Sequence, residues 1–463
     1  MDETEALTNA ARHAKRYLTS VADAPVFART DVATLRDRLG GPLPESPTDA
    51  AAVVDELVRA TQGGLVASTG PRYFGFVVGG ATTAAVAADW LATAWDQNAA
   101  AYPLSPAGSV VEEVAARWLL ELLGLPATAS LGFTTGATMA NFICLAAARS
   151  RVLADRGWDV ERDGLFGAPP IDVVVGQQRH VSLELSLRYL GLGTDRVREV
   201  AVDDQGAMRA EAAAEVIAAC DGPIVVCTQV GNVNSGAFDP VGQVCEAAHE
   251  QGAWVHVDGA FGLWAAAAPA RRHLTLGVET ADSWATDAHK WLNVPYDSGL
   301  AFVADAEAHH RAMSLLAASY LVFGEPGERD NSSWVPEMSR RGRGFPIWAA
   351  VRQLGRSGVA DLVERCCVLA QRFADQLGAE PDVEVLNDVV LNQVLVRFRA
   401  ADGDHDAHTR RVIAAVQREG TSWFGGTTWQ DRAAMRISVS NWSTTAGDVD
   451  RAVAAVLAAA RDS

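Results

Sequence analysis

From about Tyr73 onward, short apolar runs rich in β-branched residues alternate with longer amphipathic ones, and this alternation narrows the fold more than any other property of the chain. Ile171 to Val175, Ile224 to Thr228 and Ala253 to Val257 read as strands spaced by helical stretches. Strands joined that way run parallel and carry their connecting helices on the sheet faces, so the expected class is α/β with a mostly parallel sheet. Near Phe345 and Pro346 the pattern changes. Long helical stretches (Ile347 to Leu377, His408 to Arg418) now accompany short strands (Val383 to Leu386, Asn392 to Phe398, Ala434 to Val439), as in a small α+β domain. Ahead of Tyr73, two amphipathic segments, Thr4 to Val21 and Asp49 to Thr61, flank the proline-bearing stretch Gly40 to Pro47 and lack a core of their own. The expected division is an N-terminal arm (residues 1–72), a large sheet domain (73–345) and a small C-terminal domain (346–463). The loop Val322 to Met338, with Gly324, Pro326 and Gly327, is long enough to act as a mobile lid.

Composition excludes several classes of function. The net charge of -18 is spread through alanine-rich helical stretches without an acidic block, which serves solubility and disfavours nucleic acid as a partner. No run of about 18 apolar residues occurs, and the first twelve residues lack a signal-peptide pattern, so a soluble cytoplasmic protein without membrane contact is expected. The six cysteines fall at irregular intervals with no CxxC pair, which fits buried reduced thiols.

Parallel sheets bind ligands at the carboxyl ends of their strands, and four polar groups follow apolar runs in the way that rule requires. Leu131 to Phe133 leads into Thr134-Thr135-Gly136-Ala137-Thr138 and then a helical run from Met139 to Ala148. Small residues with free N–H groups at a helix start suit a phosphate, although many such turns are plain connections. Asp258 closes Val255-His256-Val257 beside the small residues Gly259 and Ala260, either as a turn cap or as a site carboxylate. In Thr286-Asp287-Ala288-His289-Lys290-Trp291, the flanking Trp284, Trp291 and Leu292 bury the lysine, and burial favours its neutral, nucleophilic amine. His180 follows a strand and Gln177-Gln178-Arg179, as a cap or a site residue. A metal set built on His249, His256 and Asp258 competes with this reading but lacks HExxH-type spacing, so no metal is expected; no GxSxG elbow is present either. Trp90, Trp95, Phe74 and Phe76 are candidates to line an apolar pocket.

The order glycine-bearing turn, His, Asp, His-Lys resembles the group II pyridoxal-phosphate (PLP) dependent amino-acid decarboxylases, the family of aromatic-amino-acid and glutamate decarboxylases. The resemblance runs from Pro71-Arg72-Tyr73-Phe74-Gly75 through Ser105-Pro106, Gly236-Ala237-Phe238-Asp239-Pro240 and His256-Val257-Asp258 to Arg436-Ile437-Ser438-Val439-Ser440. It implies a PLP-dependent transferase fold of type I and a homodimer in which the arm exchanges between subunits. It makes Lys290 the Schiff-base lysine, with His289, Ala137 and Thr138 at the cofactor phosphate. Asp258 is then the partner of the ring nitrogen, with His180 and Ala260 on the two ring faces. The implied reaction is decarboxylation of an L-amino acid. A transaminase reading fits less well, since stacking residues there are more often aromatic.

Four positions depart from the family pattern. Anchoring on Trp334 and Arg340-Arg341 puts Asn331 where a loop tyrosine commonly protonates the substrate's Cα. Met139 stands for a frequent acid, Asn232 for a Thr, and Trp442 for a frequently basic residue. Loss of the tyrosine opens a second outcome on the same cofactor, aldehyde-forming oxidative decarboxylation or carbon–carbon cleavage. A third reading, a catalytically silent protein on an inherited fold, is disfavoured by the joint presence of Lys290 and Asp258, neither of which packing requires.

Overall fold

A computed structural model describes residues 3–314, 322–325 and 327–463 of the chain. Pro326 of the expected lid, and Tyr320 just ahead of it, lie outside the described residues. Contacts divide the chain into two units. The larger comprises Gly79–Gln371 and Leu386–Leu395; the smaller takes the chain up to Val78 together with Arg372–Val385 and Val396–Ser463.

The larger unit is built on a seven-stranded sheet: β1 (Ser130–Thr134), β2 (Asp172–Gly176), β3 (Val197–Val200), β4 (Ile224–Gln229), β5 (Trp254–Asp258), β6 (Ser283–Asp287) and β7 (Gly299–Val303), in the order β1-β7-β6-β5-β4-β2-β3. Only β7 runs against its neighbours β1 and β6; the remaining pairs are parallel. The carboxyl ends of the other six strands therefore share one edge. Val173, Val174 and Val175 of β2 and Val225 and Val226 of β4 are buried, as expected of a sheet covered on both faces. Helix Ala137–Ala154 packs on this sheet, with Ile143, Cys144 and Leu145 fully buried in the central cluster. Burying side chains of the size of Ile143 and Leu145 is worth about 1.5–3 kcal/mol each, which fixes this helix and hence the direction in which its first turn points.

In the smaller unit, helices Glu3–Ser20 and Ala50–Ala60 pack together, pinned where Asp55 takes His13 Nε2 at 2.7 Å and Asn9 Nδ2 at 3.3 Å. A second sheet, with all but the first three residues of β9 in this unit, joins β8 (Val383–Val385), β9 (Gln393–Phe398), β10 (Gly425–Trp429) and β11 (Arg432–Ser438) in the order β10-β11-β9-β8. Phe74 is core in this unit, between Phe424 at 5.4 Å and Phe373 at 5.0 Å centroid distance, and so does not line a pocket. No helix among the described residues is long and apolar enough to cross a membrane.

Candidate active site

The shared strand edge brings together groups far apart in the chain. β1 ends at Thr134 and enters helix Ala137–Ala154 through Gly136, and the Ala137 N–H donates to Asp287 Oδ1 at 2.6 Å. Asp287 closes β6. Its other oxygen takes Lys290 Nζ at 3.0 Å, and Oδ1 also lies 3.4 Å from His289 Nε2. His289 Nδ1 accepts the Ser298 N–H at 3.1 Å, which leaves its ring proton on Nε2, toward Asp287. Burial lowers the His289 pKa, with the Asp287 charge opposing the shift. The one signal for Asp287 in the sequence is its position at a strand end, three residues before the lysine. Two glycines allow the close approach here. A Cβ on Gly79 would overlap the Lys290 carbonyl oxygen, and one on Gly299 would overlap Gly136 Cα.

β5 delivers Asp258, 5% exposed, to the same edge. Its Oδ1 accepts the Ala260 N–H at 3.2 Å and its Oδ2 accepts Asn141 Nδ2 at 3.0 Å. The Ala260 carbonyl in turn accepts the Asp287 N–H at 2.9 Å, which links the Asp258 and Lys290 halves of the site. Thr138 stands beside Ala137, its carbonyl taking the Ser186 hydroxyl at 3.1 Å. His180 caps helix Val181–Tyr189: its Nδ1 accepts the Ser182 N–H at 3.2 Å and meets the Ser182 hydroxyl at 2.7 Å. A cleft runs beside it, lined by Leu183, Cys227, Thr228 and Asp258, so the cap also borders the site.

The alternative metal set does not assemble. His256 Nε2 meets Asn141 Oδ1 at 2.9 Å and its Nδ1 meets Ser283 Oγ at 3.0 Å, while His249 pairs with Asp282. Among the described residues no group of His, Cys, Asp and Glu could hold a metal ion.

The lid expected over Val322 to Met338 is, from Arg329 onward, a strap fastened to the body. Asn331 is 1% exposed. Its Oδ1 accepts Arg329 Nε at 2.7 Å and its Nδ2 donates to the Ala99 carbonyl at 3.2 Å. Arg329 also donates to the Leu131 carbonyl at 2.5 Å and lies over the Trp334 ring at 5.3 Å. The Ser332 N–H reaches the Ala100 carbonyl at 2.8 Å, and Asp330 takes the Tyr102 N–H at 2.9 Å. Arg340 pairs with Glu112 at 2.8 Å and donates to the Ala99 and Phe133 carbonyls at 2.9 and 2.8 Å. Burial lowers the Arg329 pKa to about 10. Asn232, where the family often has Thr, organises its own turn by accepting the Asn234 N–H at 2.8 Å and donating to the Gln178 carbonyl at 3.2 Å.

These groups suit PLP. The helix start offers N–H groups to a phosphate, and Gly136 keeps the turn open, since a Cβ there would come within 3.2 Å of His289 Cε1. Lys290 is a mostly buried amine and Asp258 a buried carboxylate suited to a protonated ring nitrogen. Residues 34–401 match the model of the pyridoxal-dependent decarboxylase conserved domain. Tryptophan decarboxylase 1 of Oryza sativa subsp. japonica is 28% identical over 461 residues, covering 92% of this chain and 87% of that protein. The aromatic-L-amino-acid decarboxylase of Bacillus atrophaeus is 23% identical over 440 residues, covering 93% and 89%. A crystal structure of Oryza sativa TDC with PLP and tryptamine shares the fold at a TM-score of 0.92 and 24% identity, covering 100% of this chain and 98% of that one. With four-fifths of its length matched to one family model, the chain belongs to the pyridoxal-dependent decarboxylases.

Proposed function

We propose that this protein removes the α-carboxyl group of an L-amino acid, with PLP held covalently on Lys290. The reading is carried by the meeting of the Lys290 amine, the Asp287 and Asp258 carboxylates and the Ala137 N–H at one sheet edge. PLP supplies an electron sink for the bond that breaks. Asp287 Oδ2, 3.0 Å from Lys290 Nζ, is placed to take a proton when that amine must act as a nucleophile. Ala137, Thr138 and His289 would hold the phosphate, which at Ala137 replaces the internal Asp287 carboxylate as the acceptor. Asp258 would keep a proton on the ring nitrogen. His180 would offer a flat ring on one side, and Ala260 a side chain too short to obstruct the other. The relatives named for tryptophan and aromatic amino acids make an aromatic L-amino acid the first substrate to test.

One observation favours a second outcome. After carbon dioxide leaves, Cα needs a proton, and Asn331 is an amide, not an acid, with both ends already engaged. If neither His180 nor water delivers that proton promptly, dioxygen takes the two electrons instead and the products are aldehyde, ammonia and hydrogen peroxide; in the carbon–carbon lyase alternative, Cα–Cβ breaks in place of the bond to the carboxyl group. Incubation with a panel of L-amino acids, with and without oxygen and with products identified by mass, separates the readings. Amine and carbon dioxide in equal amounts support simple decarboxylation, and aldehyde dependent on oxygen supports the second outcome. Absence of turnover across the panel contradicts both.

We also propose a soluble cytoplasmic homodimer in which residues 1–72 form an exchanged arm, 73–345 the large domain and 346–463 the small one. Leu7, Val53 and Leu57 on the arm helices are 71%, 48% and 56% exposed, apolar surface that a second subunit would cover. A well-behaved monomer in sedimentation contradicts this.

A further inference from the structure

We propose that Asn141 is a positioning residue, the last link of a one-way hydrogen-bond relay Trp254–Ser283–His256–Asn141–Asp258 that delivers an N–H to Asp258 and keeps that carboxylate aimed. The inference rests on the reading of Asp258 as the ring-nitrogen partner, and it adds what holds Asp258 in place.

The direction of the relay is set from the Asp258 end and is compatible with the Trp254 end. An indole N–H can only donate, so at the Trp254 end Ser283 Oγ is the acceptor, at 2.9 Å. A carboxylate can only accept, so at the Asp258 end Asn141 must present its Nδ2, at 3.0 Å. Asn141 Oδ1 then faces His256 Nε2 at 2.9 Å, and that nitrogen must carry the ring proton. The neutral ring then leaves His256 Nδ1 as an acceptor, and the Ser283 hydroxyl, which takes the Trp254 N–H on one of its two lone pairs, donates to it at 3.0 Å. Every donor along the relay then meets an acceptor. Asn141, His256 and Ser283 are fully buried, and Trp254 and Asp258 are 4% and 5% exposed, so water does not substitute for any link. Burial lowers the His256 pKa to about 4, which keeps the ring neutral as the relay requires. Beside it, burial raises the Cys144 pKa, so that neighbour stays a neutral thiol.

The relay also has a branch. Asn141 Nδ2 carries a second hydrogen, directed at Ser182 Oγ at 3.4 Å, and that hydroxyl meets His180 Nδ1 at 2.7 Å. His180 Nδ1 already accepts the Ser182 N–H, so no proton sits there. One amide thus sets both the carboxylate proposed for the ring nitrogen and the imidazole proposed for the ring face. Reversing the relay would turn Asn141 Oδ1 toward Asp258, setting two acceptor oxygens against each other.

The test has two arms on the full-length holoenzyme. Neutron diffraction from deuterated protein should place a deuteron on His256 Nε2 and none on Nδ1; a deuteron on Nδ1 overturns the proposal. The second arm compares Asn141→Thr with Asn141→Val, two side chains of one shape, of which only the first can donate to Asp258 and accept from His256. Pyridoxal 5'-phosphate affinity and the absorption band of the bound cofactor are the readouts. Asn141→Thr should keep both, and Asn141→Val should lose about tenfold or more in affinity with a shifted band. Equal behaviour of the two variants, whether both retained or both lost, overturns the relay. If the valine variant does not fold, the deuteron position decides alone. A parent protein that binds no PLP would instead defeat the cofactor reading and leave the His256 proton as a separate question.

Discussion

Asn331→Tyr restores the residue that the family commonly places on this loop, yet the surroundings of Asn331 predict a loss rather than a gain. The amide is 1% exposed, accepts from the buried Arg329 and donates to Ala99. Losing a hydrogen bond to a buried charge costs about 1.5–3 kcal/mol. Forcing a phenol into a filled site costs about 1–3 kcal/mol more. The sum, about 2.5–6 kcal/mol, is a large part of the roughly 5–15 kcal/mol that typically separates folded from unfolded protein. Asn331→Ala loses the bonds without the overpacking and should fall between parent and Asn331→Tyr. Thermal unfolding with limited proteolysis of the strap reads the order, expected as parent, then Ala, then Tyr. An Asn331→Tyr protein as stable as the parent, giving amine faster and without oxygen dependence, would refute the reasoning by showing that the strap opens during turnover.

Two further outcomes follow from the same geometry. His256 has a folded-state pKa of about 4 against an ordinary value of about 6.5, so below pH 6.5 the unfolded chain takes up a proton that the folded one refuses. Stability is therefore lost as pH falls from about 6.5 to 4, by roughly 3 kcal/mol from this group alone. His256→Gln should flatten the curve in that window, and an unchanged slope contradicts the assignment. Gly299→Ala would press a methyl group on Gly136 and displace the turn before Ala137, so cofactor affinity should fall by about tenfold while the circular-dichroism spectrum is preserved. Titration with PLP checks it, and parental affinity would mean that the turn yields without consequence.

Strands were legible where β-branched residues run together, and less so elsewhere. Ile171 to Val175, Ile224 to Thr228 and Ala253 to Val257 lie within a residue of β2, β4 and β5. β6, Ser-Trp-Ala-Thr-Asp, and β7, Gly-Leu-Ala-Phe-Val, dilute their strand-favouring Trp284, Thr286, Phe302 and Val303 with Ser, Ala, Asp and Gly, and both are completely buried between neighbours. The reversed direction of β7 follows from pairing across the sheet, which no local pattern records. In the site, Lys290 and Asp258 stood out because each follows an apolar run. The Asp287 contact with Ala137 spans 150 residues and the Asn141 contact with Asp258 spans 117, so neither could be read from spacing. Asn331 was legible as a departure from the family pattern. Its burial was not, because it depends on Ala99, 232 positions away.

The central claim is that Lys290 carries the cofactor. Borohydride reduction of the holoenzyme, followed by peptide mass mapping, tests it most directly. The account predicts a phosphopyridoxyl group on the peptide containing His289-Lys290-Trp291 in the parent, and its loss from that peptide in Lys290→Ala. A group fixed on a different lysine, or a protein that gains no visible absorption band with PLP and no label after reduction, would contradict it.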